Sequence, residues 1–231
     1  MDGSGHNVHG TSSYIKQCKH AYAMSINLAI LVSGRGSNME AILRGIREGR
    51  ISNVVPKVVV SNRPNVRALD VARQYGVDAV VIDDDGRKGA DWEYDKRILA
   101  CLEEHDVMPD NGLVCLAGFM RIVSSEFVRR YRWRIMNIHP SLLPAFPGLH
   151  AQRQALEYGV KVTGCTVHFV DEGVDTGPII LQEAVEVRED DDVESLASRI
   201  LEREHVIYVR AVQLFAEGRL RIEGRRVRIL I

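Results

Sequence analysis

The chain has 231 residues, and its 30 Lys and Arg nearly balance 31 Asp and Glu, for a formal net charge of −1 at pH 7. That balance supplies no long-range pull toward nucleic acid or a membrane surface, and no apolar run approaches the ~20 residues that span a bilayer. A hydrophobic share of 45% with 26% charged residues is that of a globular protein able to build one large domain or two small ones.

Residues 1–25 are rich in Gly, Ser and His, with scattered apolar side chains. No basic segment leads into an apolar stretch there, so they read as a disordered or extraneous tail rather than a secretory signal, with Met24 as an alternative start. From Ile26 the pattern changes. Residues 26–32 (INLAILV) form a near-continuous apolar run, as expected of a strand covered on both faces. Gly34, Arg35, Gly36, Ser37 and Asn38 follow as a tight loop, and Met39, Ile42, Leu43 and Ile46 then recur at helical spacing. Further strands are expected at 58–61, 77–82, 113–117 and 135–139, with helices around 69–75, 92–105 and 125–131 between them. An acidic, Gly-containing loop fills 83–90.

A short helix is expected at 152–158, then two longer strands at 163–170 and 179–187. A long helix over 193–217 follows, with Leu196, Ile200, Val206, Val209, Val212 and Leu214 on its apolar face. The chain closes in a small hairpin turning at Glu223 and Gly224. This alternation predicts a single α/β domain over 26–231: a mostly parallel, twisted, Rossmann-like sheet with helices on both faces and mixed C-terminal strands. The cysteines Cys18, Cys101, Cys115 and Cys165 form no C-x-x-C pair and read as reduced thiols, largely buried, in a cytoplasmic protein.

Three stretches carry candidate chemistry. The glycine loop ahead of the first helix offers backbone N–H groups and a helix dipole to an anion, and equally suits a plain tight turn. It is neither a dinucleotide fingerprint, because Met39 stands where a third glycine belongs, nor a P-loop. In 136–150 (MNIHPSLLPAFPGLH), strand alternation puts Asn137 and His139 on one face at the carboxyl end of a buried strand. Such an end is where ligands sit in open α/β sheets. An amide and an imidazole side by side can hold a developing oxyanion, and an imidazole can carry a proton at neutral pH. In 171–178 (DEGVDTGP), Asp171 and Glu172 read as an ordinary solvated turn. Asp175 stands in a shaped loop from which it would orient His139 and raise its pKa. A metal site built from His139, His150, His168 and Asp175 lacks any zinc-binding spacing, so no metal is expected. Ser141 is on no G-x-S-x-G elbow, which argues against a serine hydrolase.

Taken together, SGRGSN at 33–38, LAGFMR at 116–121, NIHPSLLP at 137–144, PGLH at 147–150 and DTGP at 175–178 resemble the phosphoribosylglycinamide formyltransferases. The resemblance runs in order from Ile26 to the last long helix. It implies transfer of the formyl group of 10-formyltetrahydrofolate to the amine of glycinamide ribonucleotide in purine biosynthesis, in a monomer or homodimer without metal, nucleic acid or membrane. It assigns catalysis to Asn137, His139 and Asp175. The substrate phosphate and ribose fall to Gly36, Ser37, Asn38 and Glu204. The folate pocket falls to Met120, Arg121, Ile122 and Val123, with Asp171, Glu172, Gly173 and Val174 as its other wall. It also implies a cis bond at Leu143–Pro144.

Two departures stand out. Where the family often has an arginine before the helix at 92, this chain has Asp91, with Arg87 and Lys88 nearby, and residues 1–25 have no counterpart. Methionyl-tRNA formyltransferase carries a further RNA-binding domain and formyltetrahydrofolate hydrolase an N-terminal regulatory domain. Neither is found in this sequence. A non-catalytic nucleotide-binding module would explain the glycine loop and leave the Asn, His and Asp idle.

Overall fold

The computed structural model describes residues 25–86 and 89–231. The expected N-terminal tail, Ser25 apart, and the Arg87–Lys88 pair lie outside the described residues. One nine-stranded sheet runs through the fold in the order β3-β2-β1-β4-β5-β6-β7-β9-β8. Its first half comprises β1 (Ile26–Val32), β2 (Val54–Ser61), β3 (Asp78–Val81), β4 (Gly112–Leu116) and β5 (Ile135–His139), all parallel. The crossovers are α1 (Ser37–Arg47), α2 (Arg67–Gln74), α3 (Trp92–Glu104) and α4 (Ser125–Arg130). After α5 (Ala151–Tyr158), β6 (Val162–Phe169) and β7 (Ile179–Glu186) add as antiparallel neighbours. The 24-residue α6 (Val193–Ala216) and the hairpin β8 (Leu220–Glu223) and β9 (Arg226–Ile229) complete the chain.

Alternation along β1 sorts the core into two layers. Leu28, Ile30 and Val32 pack with Met39, Ile42, Leu196, Ile200 and Val212 on the α1–α2–α6 side. Ala29 and Leu31 pack with Ile98, Leu102, Phe127 and Tyr131 on the α3–α4 side. A strand buried on both faces must be apolar at every position, which is why 26–32 reads as an unbroken run. β2 begins four residues earlier than expected, at Val54. Pro56 lacks the ladder N–H, and a register shift between Leu28 and Ala29 absorbs that local break, so the strand continues through it.

The order reverses at β1, with β2 on one side and β4 on the other, so the loops leaving β1 and β4 diverge and open a crevice at the carboxyl edge. Helix ends are closed by side chains where sequence allows. Asp91 Oδ1 accepts from the N–H groups of Glu93 and Tyr94 at the start of α3. Asp192 and Ser195 form a reciprocal capping box on α6. Tyr208 on α6 is fully buried, and its hydroxyl lies 3.0 Å from the carbonyls of both Leu116 and Met136, pinning α6 across the ends of β4 and β5.

Two expected outcomes follow from this packing. Tyr208→Phe removes a donor from two buried carbonyls and lowers unfolding free energy by about 1–3 kcal/mol in urea titration. Burial, and next the positive charge of Arg44, holds the His205 pKa below the ordinary histidine value. The unfolded chain therefore binds the extra proton more readily. The contribution is intact above pH ~6.5 and is lost as pH falls through that value toward the depressed native pKa. His205→Gln flattens the decline in stability between pH 7.5 and 5.5. An unchanged slope removes His205 as its source.

Candidate active site

The site is assembled where parallel pairing ends and antiparallel pairing begins. Asn137 and His139 project from the last turn of β5, opposite His168 and Thr166 of β6. Asn137 is flanked by β4 and β6 and His139 by β6, so the two side chains are held by the sheet itself. Ile138 between them enters the α6-side core. Past His139 the chain leaves through the Pro-rich loop, with the cis bond at Leu143–Pro144.

That loop curls back onto the imidazole. The His139 ring, 4% exposed, has Nε2 at 2.8 Å from the Phe146 carbonyl and Nδ1 at 3.3 Å from Asp175 Oδ2. The Gly148 N–H donates to the same Asp175 oxygen at 2.8 Å, so one carboxylate holds both the ring and the loop. Asp175 adopts φ 55°, a left-handed backbone that few non-glycine residues keep without a local reason. Next to it, Gly177 has no alternative: a Cβ there would lie 1.7 Å from the Phe169 carbonyl oxygen.

Burial pushes the His139 pKa below its ordinary value. The Phe146 carbonyl and the Asp175 carboxylate pull it upward and do not offset the desolvation. The expected rise from Asp175 is thus a real contribution outweighed by loss of water. For Asp175 the balance falls the other way. Desolvation raises its pKa, and contacts with His168, the Gly148 N–H and His139 together hold it below the ordinary carboxylate value. In the free site, desolvation thus favours the neutral imidazole, and the surrounding hydrogen bonds favour the ionised carboxylate.

His168 is the member that sequence reasoning did not place in the catalytic group. Its Nδ1 sits 2.9 Å from the Phe169 carbonyl, and its Nε2 lies 3.2 Å from Asn137 Nδ2 and 3.7 Å from Asp175 Oδ1. This contact fixes the rotation of the Asn137 amide beside Asp175. A signal was present in β6, where Thr166 and His168 alternate with Cys165, Val167 and Phe169. A polar pair at period two inside a buried strand marks a lined face.

The glycine loop lies on the same carboxyl edge, one strand over from β4. Gly36 caps α1 in a left-handed conformation, φ 74° and ψ 26°, and no side chain caps the helix. The first-turn N–H groups have no carbonyl partner within the helix, so Ser37 and Asn38 present amide donors at the positive end of its dipole. A Cβ on Gly36 would stand 2.6 Å from the Ala68 Cβ, so only glycine lets α2 press against this turn. Glu204, 7% exposed on α6, accepts from Asn38 Nδ2 at 2.7 Å across 166 residues of sequence. Burial raises the Glu204 pKa, and Asn38 Oδ1 is buried without a partner.

The expected folate-side residues separate into two kinds. Met120 is 60% exposed, Ile122 50% and Val174 48%, apolar surface left uncovered at the crevice edge. Val123 is buried, and Arg121 turns its side chain inward rather than lining the crevice. Asp171 Oδ1 accepts from Gly173 N–H at 3.2 Å and Thr176 Oγ1 at 2.6 Å, which folds 171–176 into a closed turn. Glu172 pairs with Arg132 at the surface. Asp91, at the position where an arginine was expected, serves as the α3 cap described above.

The chain is similar to several known proteins. The family model described as formyl transferase matches residues 26–212. The trifunctional purine biosynthetic protein adenosine-3 of Drosophila melanogaster is 47% identical over 197 residues, 83% of this chain. The chain spans only 14% of that curated relative's length. The phosphoribosylglycinamide formyltransferase of Escherichia coli (strain K12) is 40% identical over 85% of this chain and 90% of its own. A solved structure, glycinamide ribonucleotide transformylase 1 from Symbiobacterium toebii, superposes with a TM-score of 0.84 at 54% identity, covering 90% of this chain and 95% of that one. By the extent of these matches, the chain belongs to the formyl transferase family.

Proposed function

We propose that this chain is a phosphoribosylglycinamide formyltransferase, moving the formyl group of 10-formyltetrahydrofolate to the amine of glycinamide ribonucleotide. The observation that carries the reading is the convergence of Asn137, His139 and Asp175 at the end of β5, on the sheet edge that also holds the uncapped N-terminus of α1. An anion-holding turn and a proton-handling oxyanion site on one edge match the two ends of a phosphoribosyl amine. The names of the E. coli and S. toebii relatives support the same substrates.

The Gly36, Ser37 and Asn38 amides and the dipole of α1 hold the 5′-phosphate, and Glu204, held by Asn38 Nδ2, meets the ribose hydroxyls. Met120, Ile122 and Val174 give the pterin an apolar wall. The substrate amine attacks the formyl carbon. A C–N bond forms, the carbonyl electron pair moves onto oxygen, and the Asn137 amide and the His139 ring face that charge. Negative charge appearing beside a desolvated imidazole favours its protonated form, so the proton shed by the attacking amine is taken up at His139 as the intermediate forms. Asp175 balances the imidazolium, and the same proton then passes to N10 of the folate, directly or through water, which returns His139 to its neutral form. The C–N10 bond then breaks, releasing tetrahydrofolate and the formylated amide. Asn137 is oriented for this by His168.

A transfer assay with both substrates, followed by loss of the folate's formyl group, checks the reading directly; no transfer at millimolar substrate overturns it. His139→Ala lowers kcat by about 10²–10⁴-fold while circular dichroism stays native, and an unchanged kcat removes the ring from the chemistry. Gly36→Val abolishes ribonucleotide binding in calorimetry, because the side chain invades α2 and the left-handed turn is lost. Ser37→Ala raises KM only slightly, since its contact is through the backbone.

A further inference from the structure

Four side chains at the carboxyl ends of β1, β2, β3 and β4 close into a hydrogen-bonded ring that the proposed chemistry does not use. Ser33 Oγ, just past β1, donates to Asn62 Oδ1 at 2.5 Å. Asn62, just past β2, donates from Nδ2 to Asp84 Oδ2 at 2.6 Å. The same oxygen takes Arg121 Nη1 at 3.2 Å from the loop after β4. The N–H of Met120, next to Arg121, returns to Ser33 Oγ at 2.8 Å. Arg121 also donates to the Gly89 carbonyl at 3.2 Å and stacks 4.2 Å over the Tyr94 ring, whose hydroxyl is held by the Ile82 carbonyl.

The ring is buried: the side chains of Arg121 and Asp84 are 3% and 11% exposed, and Ser33 and Asn62 are 5% and 1% exposed. A buried ion pair is a poor source of net stability compared with apolar packing, so its presence asks for another reason. Local geometry supplies one. Arg121 points in, while its neighbours Met120 and Ile122 point out, 60% and 50% exposed. Held inward, the guanidinium fixes the rotation of the chain and therefore the outward aim of both apolar side chains. Through Ser33 the ring ties this wall to the residue that begins the glycine loop, and through Asp84 and Gly89 to the segment 83–91.

We propose that Ser33, Asn62, Asp84 and Arg121 form a positioning ring that sets the folate-side wall of the crevice relative to the glycine loop. None of the four is a catalytic residue. Arg121 acts through Met120 and Ile122, and the ring's bonds among the described residues join it to the glycine loop and to Asp84 and Gly89 rather than to Asn137, His139 or Asp175. The identity of the ligand rests on the formyl-transfer reading. The positional argument rests on the closed circuit.

The test measures binding of tetrahydrofolate and of glycinamide ribonucleotide separately by calorimetry, with thermal midpoints alongside. Asp84→Asn keeps an oxygen for Asn62 and removes one carboxylate from beside the guanidinium. It weakens folate binding at least tenfold and leaves ribonucleotide affinity within about threefold. Adding Arg121→Met removes the buried charge as well, so the thermal midpoint recovers while folate affinity stays low. Recovery of both together would make the ring a stability element only and overturn the proposal. Ser33→Ala, which loses only the hydroxyl bridge, gives a folded variant with folate affinity down several-fold. Wild-type affinity in Ser33→Ala and Asp84→Asn alike also overturns it. A wild-type chain that binds ribonucleotide but no reduced folate sinks the formyl-transfer reading and this proposal together. Normal wild-type binding with unaffected variants sinks the ring alone.

Discussion

One carboxylate holds the candidate active site together. Asp175 reaches His139, the Gly148 N–H and the neighbourhood of His168 from a loop that follows β6, so three separate segments depend on where that side chain stands. Its left-handed backbone is kept by surroundings that allow nothing else: Gly177 presses against the Phe169 carbonyl, and Asp171 closes the turn from the other side. Placing a charged group there is unfavourable until its partners are present. Desolvation acts against both Asp175 and His139, and the hydrogen bonds outweigh it only for the acid. The result is an asymmetric pair, with the anion favoured at Asp175 and the neutral ring favoured at His139, which suits a reaction whose negative charge is transient.

The sheet explains how residues so far apart in sequence meet. Parallel strands deliver all their carboxyl ends to one edge, and the reversal at β1 opens space there. The switch to antiparallel pairing at β6 then brings a returning strand, with His168, directly alongside β5. α6 crosses beneath, anchored by Tyr208 to the carbonyls of Leu116 and Met136, and so carries Glu204 to the start of α1. Backbone ladders place the chemistry, and a few buried polar bonds lock the helices to it.

Much of this is readable from residue order. The unbroken run 26–32, the helical spacing after Gly36 and the polar pair Asn137 and His139 within an apolar strand each have one economical physical meaning, and the structure realises them. The contact of Asp175 with His139 is different in kind. Their types suggested a pair, but only the fold supplies the 3.3 Å. Glu204 carries no local mark that distinguishes it from other helix acids, and its place beside Asn38 depends on a crossing 166 residues long. The inward turn of the Arg121 side chain is not legible, because a loop lacks the fixed alternation of a strand and residue type alone does not say which of 120–123 faces inward. The lowered His139 pKa was hidden for a related reason, since solvent exclusion is a property of the finished packing rather than of neighbours in sequence.

The sheet also ends in a telling way. Its outermost strands, β3 and β8, are each only four residues long. Beside β8 the hairpin carries Arg219, Arg221, Arg225, Arg226 and Arg228, and Arg225 reaches back to the Thr176 carbonyl in the loop that holds Asp175. A nine-stranded sheet with long, bare margins would invite another chain to continue it. A short border carrying guanidinium groups, as at β8, is a poor template for such a guest, so the same hairpin that braces the loop carrying Asp175 also disfavours edge-to-edge growth there.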